Sequence, residues 1–210
     1  MHDTRKLLSY IRRGLDNILL LEGIDRDGHP FTGGFVEDRP LRLTQKEALE
    51  AYSKYLDDPD VSIADKLRGF FVIPTGIGKT ALFIGIIREA IAEARKDGEE
   101  LRIGIVVPTL PLLHQTKDEF SGFAPTLADE IGLYGDGIKE LDKTISIMTY
   151  DAWTDLVESG NLHSGNIDIL ISDEAHRGTS ERRGQNFVEG FDGSTVSLAF
   201  TATYRFDLYK

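Results

Sequence analysis

Apolar residues in this chain fall into short solid blocks separated by longer stretches with helical spacing. The blocks are RGFFVIP (68–74), LRIGIVVP (101–108), IGLYG (131–135), KTISIMTY (143–150), IDILISDE (167–174) and STVSLAFTAT (194–203). Strands that lack polar alternation are usually covered on both faces. Between the blocks, GKTALFIGIIREAIAEARKDG (78–98), LPLLHQTKDEF (110–120) and DAWTDLVESG (151–160) carry helical periodicity, and Gly98 closes the first of them. Strand and helix alternate, which predicts βαβ units with right-handed crossovers. The fold class expected is α/β: a mainly parallel sheet with helices on both faces.

The N-terminal region reads differently. DTRKLLSYIRRG predicts a helix that ends near Gly14, and the apolar run Ile18–Leu21 predicts a short strand or buried segment. DRDGHPFTGG is rich in Asp and Gly and predicts a turn at the tip of a hairpin. Its Asp25-x-Asp27-Gly28 lacks the other ligand positions of an EF-hand loop, so it reads as a turn. LTQKEALEAYSKYLDD predicts a helix over about 45–57, with Thr44 and Glu47 at capping-box spacing.

Composition narrows the function classes. The 210 residues suffice for one domain with a substantial core. No run approaches the roughly 20 apolar residues of a bilayer span, and no apolar region follows the basic N-terminus as in a secretory signal. The expectation is therefore a protein without membrane association. The chain has no cysteine, which excludes disulfides, thiolate metal sites and cysteine nucleophiles and fits a cytoplasmic location. The net charge of −11 weighs against non-specific attraction to nucleic acid over the whole surface, and leaves a local groove open.

The most specific stretch is FFVIPTGIGKTALF. A strand runs out at Ile73, Gly76 and Gly78 lie in a loop, and Lys79-Thr80 opens a helix. Glycines let a backbone turn tightly and bring its N–H groups to a phosphate. The helix N-terminus adds partial positive charge. Lys79 supplies a point charge for the β- and γ-phosphates, and the Thr80 hydroxyl is a ligand type for Mg²⁺. The usual first glycine of such a loop is replaced by Ile73. A second apolar strand runs into Asp173-Glu174. In a parallel sheet both strands end at the carboxyl edge, where ligands bind in open α/β folds. Asp173 is then placed to hold the metal, and Glu174 to orient or deprotonate a water.

In order along the chain, PTGIGKT (Pro74, Thr75, Gly76, Ile77, Gly78, Lys79, Thr80), DEAH (Asp173–His176) and TAT (Thr201–Thr203) resemble motifs I, II and III of superfamily 2 helicases and translocases. LRLTQKEAL resembles the Q-motif region of the subgroup containing type I and type III restriction translocase subunits. VVPTLPLLHQ and IMTYDAW resemble motifs Ia and Ic. The resemblance covers about residues 39–205. It implies a RecA-like P-loop NTPase domain over 39–210, preceded by an accessory element at 1–38.

By that resemblance, residues 74–80 bind ATP, Gln45 reads the adenine edge, and Thr80 and Asp173 hold Mg²⁺. Lys79, Asp173 and Glu174 carry hydrolysis. His176, Thr201 and Thr203 couple the nucleotide site to motif III. Pro108, Thr109, Thr149 and Tyr150 lie along a nucleic-acid backbone, with DNA favoured over RNA. These residue types also have ordinary uses: an exposed helix glutamine, a turn histidine, strand threonines and helix-capping threonines. The resemblance further implies a second RecA-like domain in cis that supplies an arginine finger; no Q-x-x-G-R-x-G-R-like run is present in these 210 residues. In this family Pro commonly follows Thr-Ala-Thr, and Tyr204 stands there instead. The expected function is the ATP-binding half of a DNA helicase or translocase, nearly inactive alone. The alternative is a nucleotide-dependent binding module that does not hydrolyse ATP.

Overall fold

The computed structural model describes residues 3–161, 166–175 and 195–202. His176, the Arg177–Gly184 run, Thr203 and Tyr204 lie outside the described residues.

The first helix, α1 (Thr4–Leu20), is capped by Asp3, whose carboxylate accepts from the N–H of Arg5. It does not end at Gly14 as the pattern predicts. Gly14 is an interior position where α1 presses on the helix α4 (Lys79–Lys96): a Cβ there would lie 2.9 Å from Glu89 Cβ and 3.2 Å from Ala90 N. The apolar run expected as a short strand or buried segment is therefore the end of α1, with Ile18 buried and Leu21 as the C-cap. Leu7, Tyr10, Ile11 and Leu15 complete its buried face. On its flanks, Arg12 grips the Asp57 carboxylate and Arg13 reaches Glu93 and Asp97.

The predicted hairpin is present. Strands β1 (Glu22–Ile24) and β2 (Pro30–Thr32) pair antiparallel around a turn in which the Asp25 carboxylate accepts from the N–H groups of Asp27 and His29. A second small ribbon, β3 (Gly34–Val36) with β4 (Arg39–Pro40), drives Phe35 into the core, edge-on to Phe123.

Helix α2 (Leu43–Asp57) starts earlier than predicted. Its capping partner is Gln45, not the Thr44/Glu47 pair: Gln45 Oε1 accepts from the N–H of Arg42 at 2.9 Å. The short α3 (Ile63–Lys66) has Ser62 as its cap and went unrecognised in the sequence because it is a single turn.

The central sheet contains β5 (Arg68–Val72), β6 (Ile103–Val107), β7 (Ile131–Gly135), β8 (Ile138–Lys139), β9 (Ile145–Thr149), β10 (Ile169–Ser172) and β11 (Val196–Thr201). The spatial order is β5-β11-β10-β6-β9-β7-β8, and every neighbouring pair is parallel except β7–β8. Phe70, Ala199, Ser172, Val106 and Met148 stand in one row across it. The expected α/β class is therefore observed.

One face, with Ile105, Ile147, Ile171 and Leu198, shares a core with α2, α4 and α5 (Leu110–Phe123), and α1 packs against α4 and α2 in the same cluster. The other face carries Val106, Met148 and Leu170 under α6 (Tyr150–Glu158), with Trp153 and Leu156. Helices thus lie on both faces. Burying side chains of this size contributes roughly 1.5–3 kcal/mol each against the entropy of ordering the chain. β5 is the edge strand and alternates: Phe71 is buried, while Phe70 and Val72 face outward. The sequence block FFVI is apolar throughout, so this edge position was hidden in it.

Candidate nucleotide site

Among the described residues, the carboxyl edge of the sheet gathers those singled out above. The loop after β5 contains Gly76 at φ 81° and Gly78 at φ 89°. Both values lie in the left-handed region that side chains with a Cβ avoid, which is why glycine stands at each. A Cβ on Gly78 would also lie 2.9 Å from Gln45 Nε2. Gly78 is the N-cap of α4, so the first turn of that helix opens with no capping side chain over its N–H groups. Thr80 sits half-buried in that turn, while Pro74, Thr75 and Gly76 are exposed and Ile77 is half-buried.

Across β11, the chain leaving β10 brings Asp173 and Glu174 to the same place. Lys79 Nζ donates to Glu174 Oε1 at 2.6 Å, an ion pair whose side chains retain 10% and 23% exposure. The glycine loop and the acidic pair therefore meet at one place, although 95 residues separate Lys79 from Glu174. Glu174 has φ +50°, a strained value for a non-glycine residue, and its N–H donates to Asp173 Oδ1.

Asp173 is buried. Burial first, and then the adjacent Glu174 carboxylate, push its pKa up to about 6, while Lys79 pulls the other way. Among the described residues, two carboxylates thus stand beside one ammonium. A hard divalent cation fits that donor set, together with the Thr80 hydroxyl.

Gln45 is buried, and its amide is fully engaged. Nε2 donates to the carbonyls of Ile77 at 2.9 Å and Gly78 at 3.1 Å, while Oε1 holds Arg42 N–H. Arg42 adds its guanidinium to the Gly76 carbonyl. The start of α2 therefore ties down the glycine loop. Arg42 was not singled out in the sequence, although its place three residues before a capping Gln is a legible signal.

Thr201 is buried at the end of β11, between the loop and the acidic pair, and its carbonyl accepts from the N–H of Ile73 at 2.8 Å. Pro108 is half-buried and Thr109 exposed where β6 passes into α5. Thr149 caps α6, accepting from the N–H of Ala152. Tyr150, expected along the nucleic-acid backbone, has a buried side chain whose hydroxyl donates to the Asp173 carbonyl at 2.9 Å. Met148 and Tyr150 continue one face of the strand, and that face points into the α6 cluster.

A parallel sheet with a glycine loop at one strand end and an acidic pair at another, joined by Lys79 and Glu174, defines a RecA-like P-loop NTPase domain. Residues 38–206 match the family described as type III restriction enzyme, res subunit. The chain belongs to that family, within superfamily 2. It is 32% identical over 179 residues to the DNA 3'-5' translocase XPB2 of Sulfurisphaera tokodaii, covering 84% of this chain and 34% of that protein. The fold is similar to that of the UvsW helicase of bacteriophage T4, with TM-score 0.64, 19% identity, and coverage of 94% of this chain and 62% of that one. It is also similar to the Sulfolobus solfataricus SWI2/SNF2 ATPase core in complex with dsDNA, with TM-score 0.57, 19% identity, and coverage of 88% and 34%. The chain spans about a third of the length of its translocase relative. Among the described residues, no helix is long and apolar enough to cross a membrane.

Proposed function

We propose that this chain is the ATP-binding half of a DNA translocase or helicase, in which hydrolysis drives movement on nucleic acid. The observation that carries this reading is the contact of Lys79 with Glu174, which makes the glycine loop and the acidic pair one site. The translocase relative supports DNA over RNA, and so does the dsDNA bound to the SWI2/SNF2 core.

In this reading, N–H groups of residues 76–80 and the α4 N-terminus receive the phosphates of ATP. Lys79 moves its ammonium from Glu174 to the β- and γ-phosphates. That leaves Glu174 free to orient a water and take its proton. Asp173 and Thr80 would hold Mg²⁺, and the ion would supply charge neutralisation for the phosphates. Gln45 reads the adenine once its amide leaves the loop carbonyls. Thr201, with His176 and Thr203, relays the state of the site. Pro108, Thr109 and Thr149 face the nucleic-acid backbone. Residues 1–38 form an accessory element braced on α4, and a second RecA-like domain completes the site in cis. Such a protein works in the cytoplasm, where ATP and DNA meet.

The test is ATP hydrolysis by the full-length gene product with and without duplex DNA, beside Lys79→Ala and Glu174→Gln. DNA-stimulated hydrolysis lost in both variants is the expected result. Undiminished activity in Lys79→Ala overturns the site, and nucleotide binding without any hydrolysis favours the binding-module reading.

A further inference from the structure

We infer that Tyr150 is a positioning residue for the Asp173–Glu174 turn and links the nucleic-acid edge of the sheet to the carboxylate that handles water. The inference rests on the functional reading above. It starts from how the backbone of Asp173 is held. Its N–H donates to the Val106 carbonyl at 2.9 Å, and its carbonyl accepts from the Tyr150 hydroxyl at 2.9 Å.

Each anchor lies within two residues of a proposed nucleic-acid contact. Val106 lies on β6, two residues before Pro108; Tyr150 follows Thr149 at the end of β9. β10, β6 and β9 are neighbours in that order, so the Tyr150 side chain reaches past β6 to the turn after β10. The carbonyl it holds belongs to the peptide bond between Asp173 and Glu174.

That peptide bond matters because Glu174 stands at φ +50°. A strained residue keeps its conformation only where its surroundings over-determine it. The hydroxyl of Tyr150 on one side of the peptide and Asp173 Oδ1 on the Glu174 N–H supply that constraint. The Tyr150 ring is wedged among Val106, Met148, Trp153 and Leu170, so a shift of the β9–α6 junction carries the hydroxyl with it. A movement at Thr149 therefore reaches Glu174 through one buried side chain. No contact between Tyr150 and nucleotide is required.

The test is Tyr150→Phe in the full-length gene product, which removes one oxygen and keeps the ring. Met148→Leu, in the same apolar cluster, is the packing control. ATP turnover is measured with and without duplex DNA, Mg-ATP affinity by titration with a fluorescent ATP analogue, and thermal unfolding on every variant. Misplacement of a reacting group by about 1 Å costs on the order of a hundredfold, so DNA-stimulated turnover of Tyr150→Phe should fall about tenfold or more, with KM for ATP and analogue affinity within about twofold of the parent. Met148→Leu should match the parent.

Parental turnover in Tyr150→Phe overturns the inference. So does a loss matched by lost affinity, an equal loss in Met148→Leu, or a Tyr150→Phe protein that does not fold. A parent protein that hydrolyses ATP no faster with DNA overturns the functional reading first, and the link with it.

Discussion

Lys79 and Glu174 are partners in this structure: the ammonium donates to Glu174 Oε1 at 2.6 Å. The pairing ties the end of β5 to the end of β10 over the intervening β11. It also occupies both groups with each other, and two consequences follow for variants. Lys79→Ala removes the ammonium paired with Glu174, and should weaken Mg-ATP binding about ten- to hundredfold, equivalent to the ~1.5–3 kcal/mol of a hydrogen bond to a charged group. Glu174→Gln keeps the shape and releases Lys79 from a charged partner. It should bind the nucleotide at least as well as the parent while hydrolysis falls by about 10²–10⁴, the usual contribution of a positioned base. Titration with a fluorescent ATP analogue and phosphate release separate the two effects. Equal binding losses in both variants would count against the pairing.

Asp173 makes the site sensitive to pH. Its pKa is raised from the ordinary 3.8 to about 6 in the fold. Between those values the folded chain holds more protons than the unfolded one, so stability is highest at low pH from this group and falls as pH rises through about 6. Above that range the ionised carboxylate is a liability until a cation arrives. Asp173→Asn should therefore stabilise the metal-free chain at pH 7.5 by about 1–3 kcal/mol, with the gain fading towards pH 4, where the parent carboxyl is neutral as well. Denaturant unfolding at the two pH values checks this. The same carboxyl must be ionised to hold Mg²⁺, so Mg-ATP affinity should drop as pH falls below about 6 and should be lost on chelation with EDTA.

Much of this site was legible in the sequence because its signals are local. The loop glycines announce positive φ, the apolar blocks announce strands, and parallel order puts their ends at one edge. What stayed hidden depends on neighbours distant in the chain. Gly14 reads as a helix stop by its own propensity, yet it is there for α4. Tyr150 reads as part of a motif Ic-like segment, and nothing in that segment says that the face it shares with Met148 is covered by α6. The edge position of β5 is likewise invisible in an apolar block, because nothing in FFVI says which neighbour it lacks.

Gln45 should matter to stability before any nucleotide binds. Its amide joins Arg42 N–H to the carbonyls of Ile77 and Gly78 from a buried position. Gln45→Ala leaves those groups unsatisfied and should cost about 1–3 kcal/mol in chemical denaturation. Gln45→Glu should do worse at neutral pH. It keeps an acceptor for Arg42, but sets a carboxylate against two carbonyl oxygens. If Gln45→Glu proves as stable as the parent at pH 7.5, the tether does not hold the loop.

Gly14 tests whether the first helix is part of the core or an appendage. α1 contributes Tyr10, Ile11 and Leu15 to the same buried cluster as α4, and its flanking Arg13 reaches Glu93 and Asp97. On an isolated helix, Gly14→Ala would stabilise by up to ~1 kcal/mol, because alanine is the better helix former. Here the added methyl would sit 2.9 Å from Glu89 Cβ and 3.2 Å from the backbone of Ala90, closer than the neighbours allow. α1 must then lift from α4, and overpacking of this kind costs about 1–3 kcal/mol. The two effects have opposite signs, so the direction alone decides. Gly14→Ala should unfold at lower denaturant than the parent, and Gly14→Val lower still. A more stable Gly14→Ala would mean that α1 stands clear of α4 in solution.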